Sequence, residues 1–111
     1  MIVVHISEGY EVYGGRPRGY PRIKPQDCKP GVDRGWLGNS AKIEGPGKLA
    51  RAKALADFRV EFYERVTTDP AYKMAVLALK GKRVGCHCHP LSCHLDIVAD
   101  FVNDYRQGEI P

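Results

Sequence analysis

The sequence predicts a small α/β domain, because two short β-branched apolar runs, Ile2 to Ile6 and Arg83 to Cys88, flank a stretch whose apolar residues recur at helical spacing. Two such strands joined by a helical crossover are expected side by side and parallel. The expected architecture is a Rossmann-like sheet of short parallel strands with flanking helices, one domain over residues 1–111. A chain of 111 residues supports one core but not two.

The first strand ends at Ser7-Glu8-Gly9. From residue 8 to residue 47 the chain holds nine glycines and five prolines, so neither a 2 nor a 3.6 period is sustained, although Tyr10 to Tyr13 can add a short strand. A loop this long inside a compact domain is usually functional. Helical periodicity begins near Lys48 and runs to Val66, with Leu55, Phe58, Phe62 and Val66 as the apolar stripe. Asp69 then caps a second helix with Pro70 at its first position, and Tyr72, Val76 and Leu79 face inward. Lys80-Gly81-Lys82 closes that helix, and a last one is expected from about Ser92 to Arg106, with Val98, Phe101, Val102 and Tyr105 inward.

No apolar run reaches the roughly 20 residues of a membrane helix, and Met1 to His5 lacks a signal-peptide pattern, so a cytoplasmic protein without a membrane partner is expected. In that compartment cysteines read as free thiols or metal ligands. The net charge of +4 favours anionic partners only weakly. Its one local concentration is Arg16, Arg18, Arg22, Lys24, Lys29 and Arg34, either a solvated loop or an arm that contacts phosphate.

Chemistry is concentrated in residues 86–94, where three of the four cysteines and three of the four histidines occupy nine positions. Strand alternation sends Cys86 and Cys88 to one face and His87 to the other. Cys93 and His94 fall at the start of the last helix, where the helix dipole is expected to lower the Cys93 pKa. Asp96, in the first turn, can cap the helix or orient an imidazole. Two readings stay open beside plain core packing. Cys86, Cys88, Cys93 and His94 hold zinc, or the thiols line a metal-free pocket in which Cys93, His94 and Asp96 are the catalytic candidates. Cys28 stands alone and is assigned no role.

In sheets of parallel strands ligands gather at the carboxyl ends, which puts the loop after Ile6 and the Cys/His segment on one edge. Tyr13-Gly14-Gly15-Arg16 offers a backbone that can approach phosphate or sugar oxygens, with Arg16 as a bidentate fork. Gly38 and Asn39 form a second turn, where Asn39 contacts a ligand or closes the turn. Trp36 reads as a core plug beneath the loop.

An early Tyr-x-Gly-Arg, a central Leu-Gly-Asn, then Leu-x-Gly-Lys and Cys-x-Cys-x-Pro-x-x-Cys-His-x-Asp together resemble the DUF4326 family of small bacterial and phage proteins. The resemblance covers most of the chain and puts Tyr13, Gly15, Arg16, Gly38, Asn39, Cys86, Cys88, Pro90, Cys93, His94 and Asp96 on the family's motif positions. The family usually has Pro-Phe after Leu-Gly-Asn, an aromatic between the first two cysteines and Gly after the histidine; here those places hold Ser40-Ala41, His87 and Leu95. The resemblance implies a shared fold and a phage-like provenance, and no reaction.

The leading functional expectation is a domain binding a nucleotide or sugar phosphate at the strand ends, through Tyr13, Gly14, Gly15, Arg16, Gly38 and Asn39. An accompanying hydrolase or transferase activity would draw on His94, Asp96 and Cys93. The alternative is a zinc-stabilised, non-catalytic module for nucleic acid or protein, and a third is a phage-encoded inhibitor of a host factor.

Overall fold

The computed structural model describes residues 1–15, 24–38, 47–86 and 93–105. Three strands, β1 (Ile2–His5), β2 (Val12–Tyr13) and β3 (Arg83–Cys86), form a sheet in the order β1-β3-β2. Both pairings are parallel, with Val3 and Val12 flanking Val84 in register. The protein is thus α/β, and its described residues hold three parallel strands and three helices, α1 (Lys48–Thr68), α2 (Pro70–Leu77) and α3 (His94–Asp104). Single 3-10 turns stand at Ile6–Glu8 and Pro25–Asp27. Among the described residues no helix is long and apolar enough to cross a membrane.

The register divides the sheet's two faces, since residues paired across parallel strands point the same way. Val84 and Cys86 lie on one face, fully buried in the core that Leu95, Val98, Phe101 and Phe62 also build. Gly85 lies on the other, beneath the Tyr10 ring: a Cβ there would meet Tyr10 Cγ and Cδ1 at 2.7 Å. Gly14 solves the same problem on the helical face. A methyl at residue 14 would overlap both Leu95 Cδ atoms and meet Val84 Cγ1 at 3.0 Å, so only glycine lets the first turn of α3 close onto the sheet.

The helices follow from their apolar periods with two revisions. On α1 the buried stripe is Ala54, Phe58, Phe62 and Val66, a strict i, i+4 series, while Leu55 is half-buried at its margin. On α3 the inward row starts one turn earlier than expected, at Leu95, which is fully buried because it fills the space left open by Gly14. Asp69 behaves as its sequence position predicts: its Oδ1 accepts from the Tyr72 amide at 3.2 Å, and Pro70 follows it. Gly81, at φ +79°, turns the chain from the end of α2 into β3. The described part of β3 ends at Cys86; Cys88 and Ser92 lie outside the described residues.

Replacing Gly85 by Ala should destabilise the protein by about 1–3 kcal/mol, the usual magnitude for forcing a methyl into a filled space. Urea denaturation of Gly85→Ala and of Gly85→Ala combined with Tyr10→Ala checks the cause. Most of the loss should be absent in the Tyr10→Ala background, because the two residues share one contact.

Candidate functional site

The carboxyl end of β3 and the first turn of α3 meet through sulfur. Cys86 Sγ lies 3.3 Å from Cys93 Sγ, both side chains are buried, and the separation is that of two thiols in contact rather than of a disulfide. Cys93 is the N-cap of α3. Its amide donates to Asp96 Oδ2 at 3.1 Å, and the Asp96 amide donates back to the Cys93 carbonyl at 3.0 Å. One oxygen of the Asp96 carboxylate is therefore engaged in capping, the first of the two roles its position allows.

The Cys93 thiol departs from expectation. Its pKa is raised, not lowered: the hydrogen bond with Cys86 favours the protonated form most, burial adds to it, and the Cys86 and Asp96 charges push the same way. Only the backbone contact from Leu95 opposes them. The helix N-terminus does favour a thiolate there, but a second sulfur in contact and the loss of water outweigh it. A protonated thiol is the weaker nucleophile, so attack by Cys93 would first require removal of its proton.

His94 ties the same helix to the other side of the sheet. Its Nε2 lies 2.8 Å from the Gly14 carbonyl oxygen. A carbonyl only accepts, so Nε2 carries the proton, and in the neutral ring Nδ1 is the basic nitrogen. The ring also packs edge-on to Phe58, with centroids 5.1 Å apart. His94 thus commits Nε2 to the Gly14 carbonyl, and among the described residues no three metal-binding groups gather at one point. Cys88, the fourth member of the expected zinc set, lies outside the described residues.

The glycine turn is tied into the sheet and to α3. The Gly14 amide donates to the Gly85 carbonyl at 2.8 Å and its carbonyl accepts from His94, so it has no N–H left for a phosphate. Its lack of a side chain serves helix packing instead. Gly15 sits against the Tyr13 hydroxyl. Tyr13 itself is buried, with the Arg34 guanidinium 4.1 Å from its ring centroid, which brings a described cation to the end of β2. Arg16 and Asn39 lie outside the described residues.

Gly38 leads to a feature the motifs do not announce. Its amide closes a turn onto the Gly35 carbonyl at 2.9 Å, and its backbone lines a cleft of about 380 Å³ between the 25–38 loop and α1. Trp36, Phe58, Phe62 and Tyr72 supply the apolar wall. Glu61, Glu64 and Arg65 supply the polar one. Trp36 meets Tyr72 edge-on at 5.8 Å, and Arg65 lies 4.1 Å over the Tyr72 ring with its Nε 3.6 Å from Asp69 Oδ2. Phe58 belongs both to this wall and to the His94 contact, so the cleft and the thiol pair are neighbours. Sequence reading assigned Phe58, Phe62 and Tyr72 to the core alone; the available signal was the charged trio at 61, 64 and 65, which helical spacing places along one side of α1. Cys28 and Trp36 are buried, and the Cys28 thiol is held toward the Lys24 carbonyl at 3.6 Å, as core plugs.

A family model described as "Domain of unknown function (DUF4326)" matches residues 8–104. Among curated proteins, an "Uncharacterized 12.4 kDa protein in nrdA-td intergenic region" of Enterobacteria phage T4 is 37% identical over 54 residues, covering 49% of this chain and 50% of that relative. The match therefore spans about half the length of that relative. No solved structure matches the chain.

Burial pushes the Tyr72 phenol up to about 12 from 10.0, with Arg65 opposing the rise and Asp69 adding to it. The folded-state value exceeds the unfolded one, so this contribution is complete below about pH 10 and is lost as pH rises through about 12. On the order of 2 kcal/mol should disappear across that window. Denaturation midpoints at pH 9, 10 and 11 should fall more steeply for the parent protein than for Tyr72→Phe, whose own slope lacks this term.

Proposed function

For a chain that belongs to the DUF4326 family, whose description leaves function open, we propose a domain that binds a nucleotide or sugar-phosphate ligand at the carboxyl edge of its parallel strands. A Rossmann-like relationship is part of this proposal and rests on the parallel order β1-β3-β2 with helices packed against it. The observation that carries the reading is the convergence of β2, β3 and α3 at one edge, where Tyr13, Gly14, Cys86, Cys93 and His94 come together. Anion recognition falls to arginine. Arg34, stacked on Tyr13, presents in-plane N–H groups near the strand end, and Arg16 follows the Gly14-Gly15 turn in sequence. A hydrolase or transferase activity at that edge would draw on His94, which the Gly14 carbonyl holds through Nε2. Host cytoplasm is the setting this reading assumes.

A second reading, a zinc-stabilised module that binds nucleic acid or protein and catalyses nothing, is favoured by the Cys86–Cys93 contact. Zinc–thiolate bonds are about 2.3 Å, so sulfurs 3.3 Å apart can both reach one cation. Cys88 would be the third sulfur by strand alternation, and His94 could join through Nδ1 with its Nε2–H on the Gly14 carbonyl as the outer support. The cation would supply the charge that lets two buried thiols ionise together.

Calorimetry with a nucleoside monophosphate and a hexose phosphate tests the first reading. Arg16→Ala and Arg34→Ala should each weaken binding about tenfold or more, as expected for a lost charge-assisted contact. Affinities equal to the parent's discard the arginine roles. For the second reading, mass spectrometry of protein purified anaerobically without added metal should find one zinc per chain, absent in the Cys86→Ser, Cys88→Ser double variant. Metal-free parent protein overturns it.

A further inference from the structure

The turn that follows β1 holds a nucleophile and a base that neither reading of the strand edge uses. His5 Nδ1 lies 2.8 Å from Ser7 Oγ, and the Ser7 amide donates to the same nitrogen at 3.1 Å. That amide settles the direction of the side-chain bond. An N–H needs a lone pair, so Nδ1 is unprotonated, the neutral ring carries its proton on Nε2, and the Ser7 hydroxyl is the donor. The hydroxyl proton is thus committed to the imidazole, which leaves the oxygen's lone pairs for an electrophile. Ser7 is exposed and His5 half-buried, so the oxygen is open to solvent while the base is held by the strand.

The backbone on either side of the pair is fixed. His5 is the last residue of β1 and lies in register with Cys86, which puts the pair at the carboxyl end of the sheet. Beyond Ser7, Arg83 donates through Nε to the Gly9 carbonyl at 3.1 Å and through Nη2 to the Glu8 carbonyl at 3.3 Å. Gly9, at φ +79°, then turns the chain toward β2. Capping of the 3-10 turn uses only the bond from the Ser7 amide; the hydroxyl bond is additional to it. A hydroxyl within hydrogen-bond reach of a base that a third group orients is the arrangement that activates serine, otherwise a weak nucleophile.

We propose that Ser7 is the nucleophile and His5 the base of an acyl-transfer site for carboxylic esters. Ser7 Oγ adds to the ester carbonyl carbon as its proton passes to His5 Nδ1. The bond from that carbon to the alcohol oxygen then breaks, and the alcohol leaves with the proton. Water, deprotonated in turn by His5, attacks the acyl-serine and releases the acid, so ester and water give acid and alcohol. This goes beyond the nucleotide reading and depends on neither Arg16 nor Arg34.

Diisopropyl fluorophosphate tests the nucleophile, because an activated serine forms a bond to its phosphorus as fluoride leaves. Mass spectrometry with peptide mapping should place one adduct on Ser7. His5→Gln keeps an oxygen that can accept from the Ser7 amide but lacks the base, and it should label about a hundredfold more slowly. Neither residue belongs to the buried core, so the variants should match the parent by circular dichroism. An unlabelled Ser7, or equal labelling rates in the parent and His5→Gln, overturns the pair. Release of p-nitrophenol from p-nitrophenyl acetate tests the ester class. It should be faster in the parent than in Ser7→Ala, and equal rates overturn that class.

Discussion

The absence of a side chain at residue 14 governs the geometry of everything around it. Leu95 occupies the space a Cβ would take, and because it does, the first turn of α3 lies close enough for His94 to reach the Gly14 carbonyl and for Cys93 to touch Cys86. The three contacts are consequences of one close approach. They also account for Leu95: its side chain enters the gap beside Gly14 and is fully buried. Packing and polar contacts therefore reinforce one another at this edge.

That same closeness has an electrostatic consequence. Contact with the Cys86 sulfur and burial inside the core raise the Cys93 pKa and so favour its protonated thiol. The pair suits packing or a shared cation better than nucleophilic attack. His94 is similarly committed at Nε2, to the Gly14 carbonyl. Among the described residues, the reactive-looking side chains are thus largely engaged with one another and with the backbone.

The stretches that were readable in advance were those with strong local signals. Asp69-Pro70 marks a helix start whatever surrounds it, because capping involves only neighbouring backbone. The α1 period was readable, yet the choice between Ala54 and Leu55 was not, since both lie near the apolar arc and only the partner surface decides which is covered. The partner of Gly14 was unreadable for a related reason: its amide is taken by the carbonyl of Gly85, a residue 71 positions away.

By itself the sequence determined the α/β class, the extents of α1 and α2, the meeting of Cys93 and His94 with a helix start, and membership signals spread from Tyr13 to Asp96. These depend on periodicity, capping and motif spacing, which act over a few residues. Tertiary structure alone decided that β2 joins on the far side of β3, that Cys93 is held protonated by Cys86, and that Trp36, Phe58 and Tyr72 enclose a cleft with Glu64 at its rim. Each of these depends on which surfaces from distant parts of the chain exclude water together, and no local pattern carries that information.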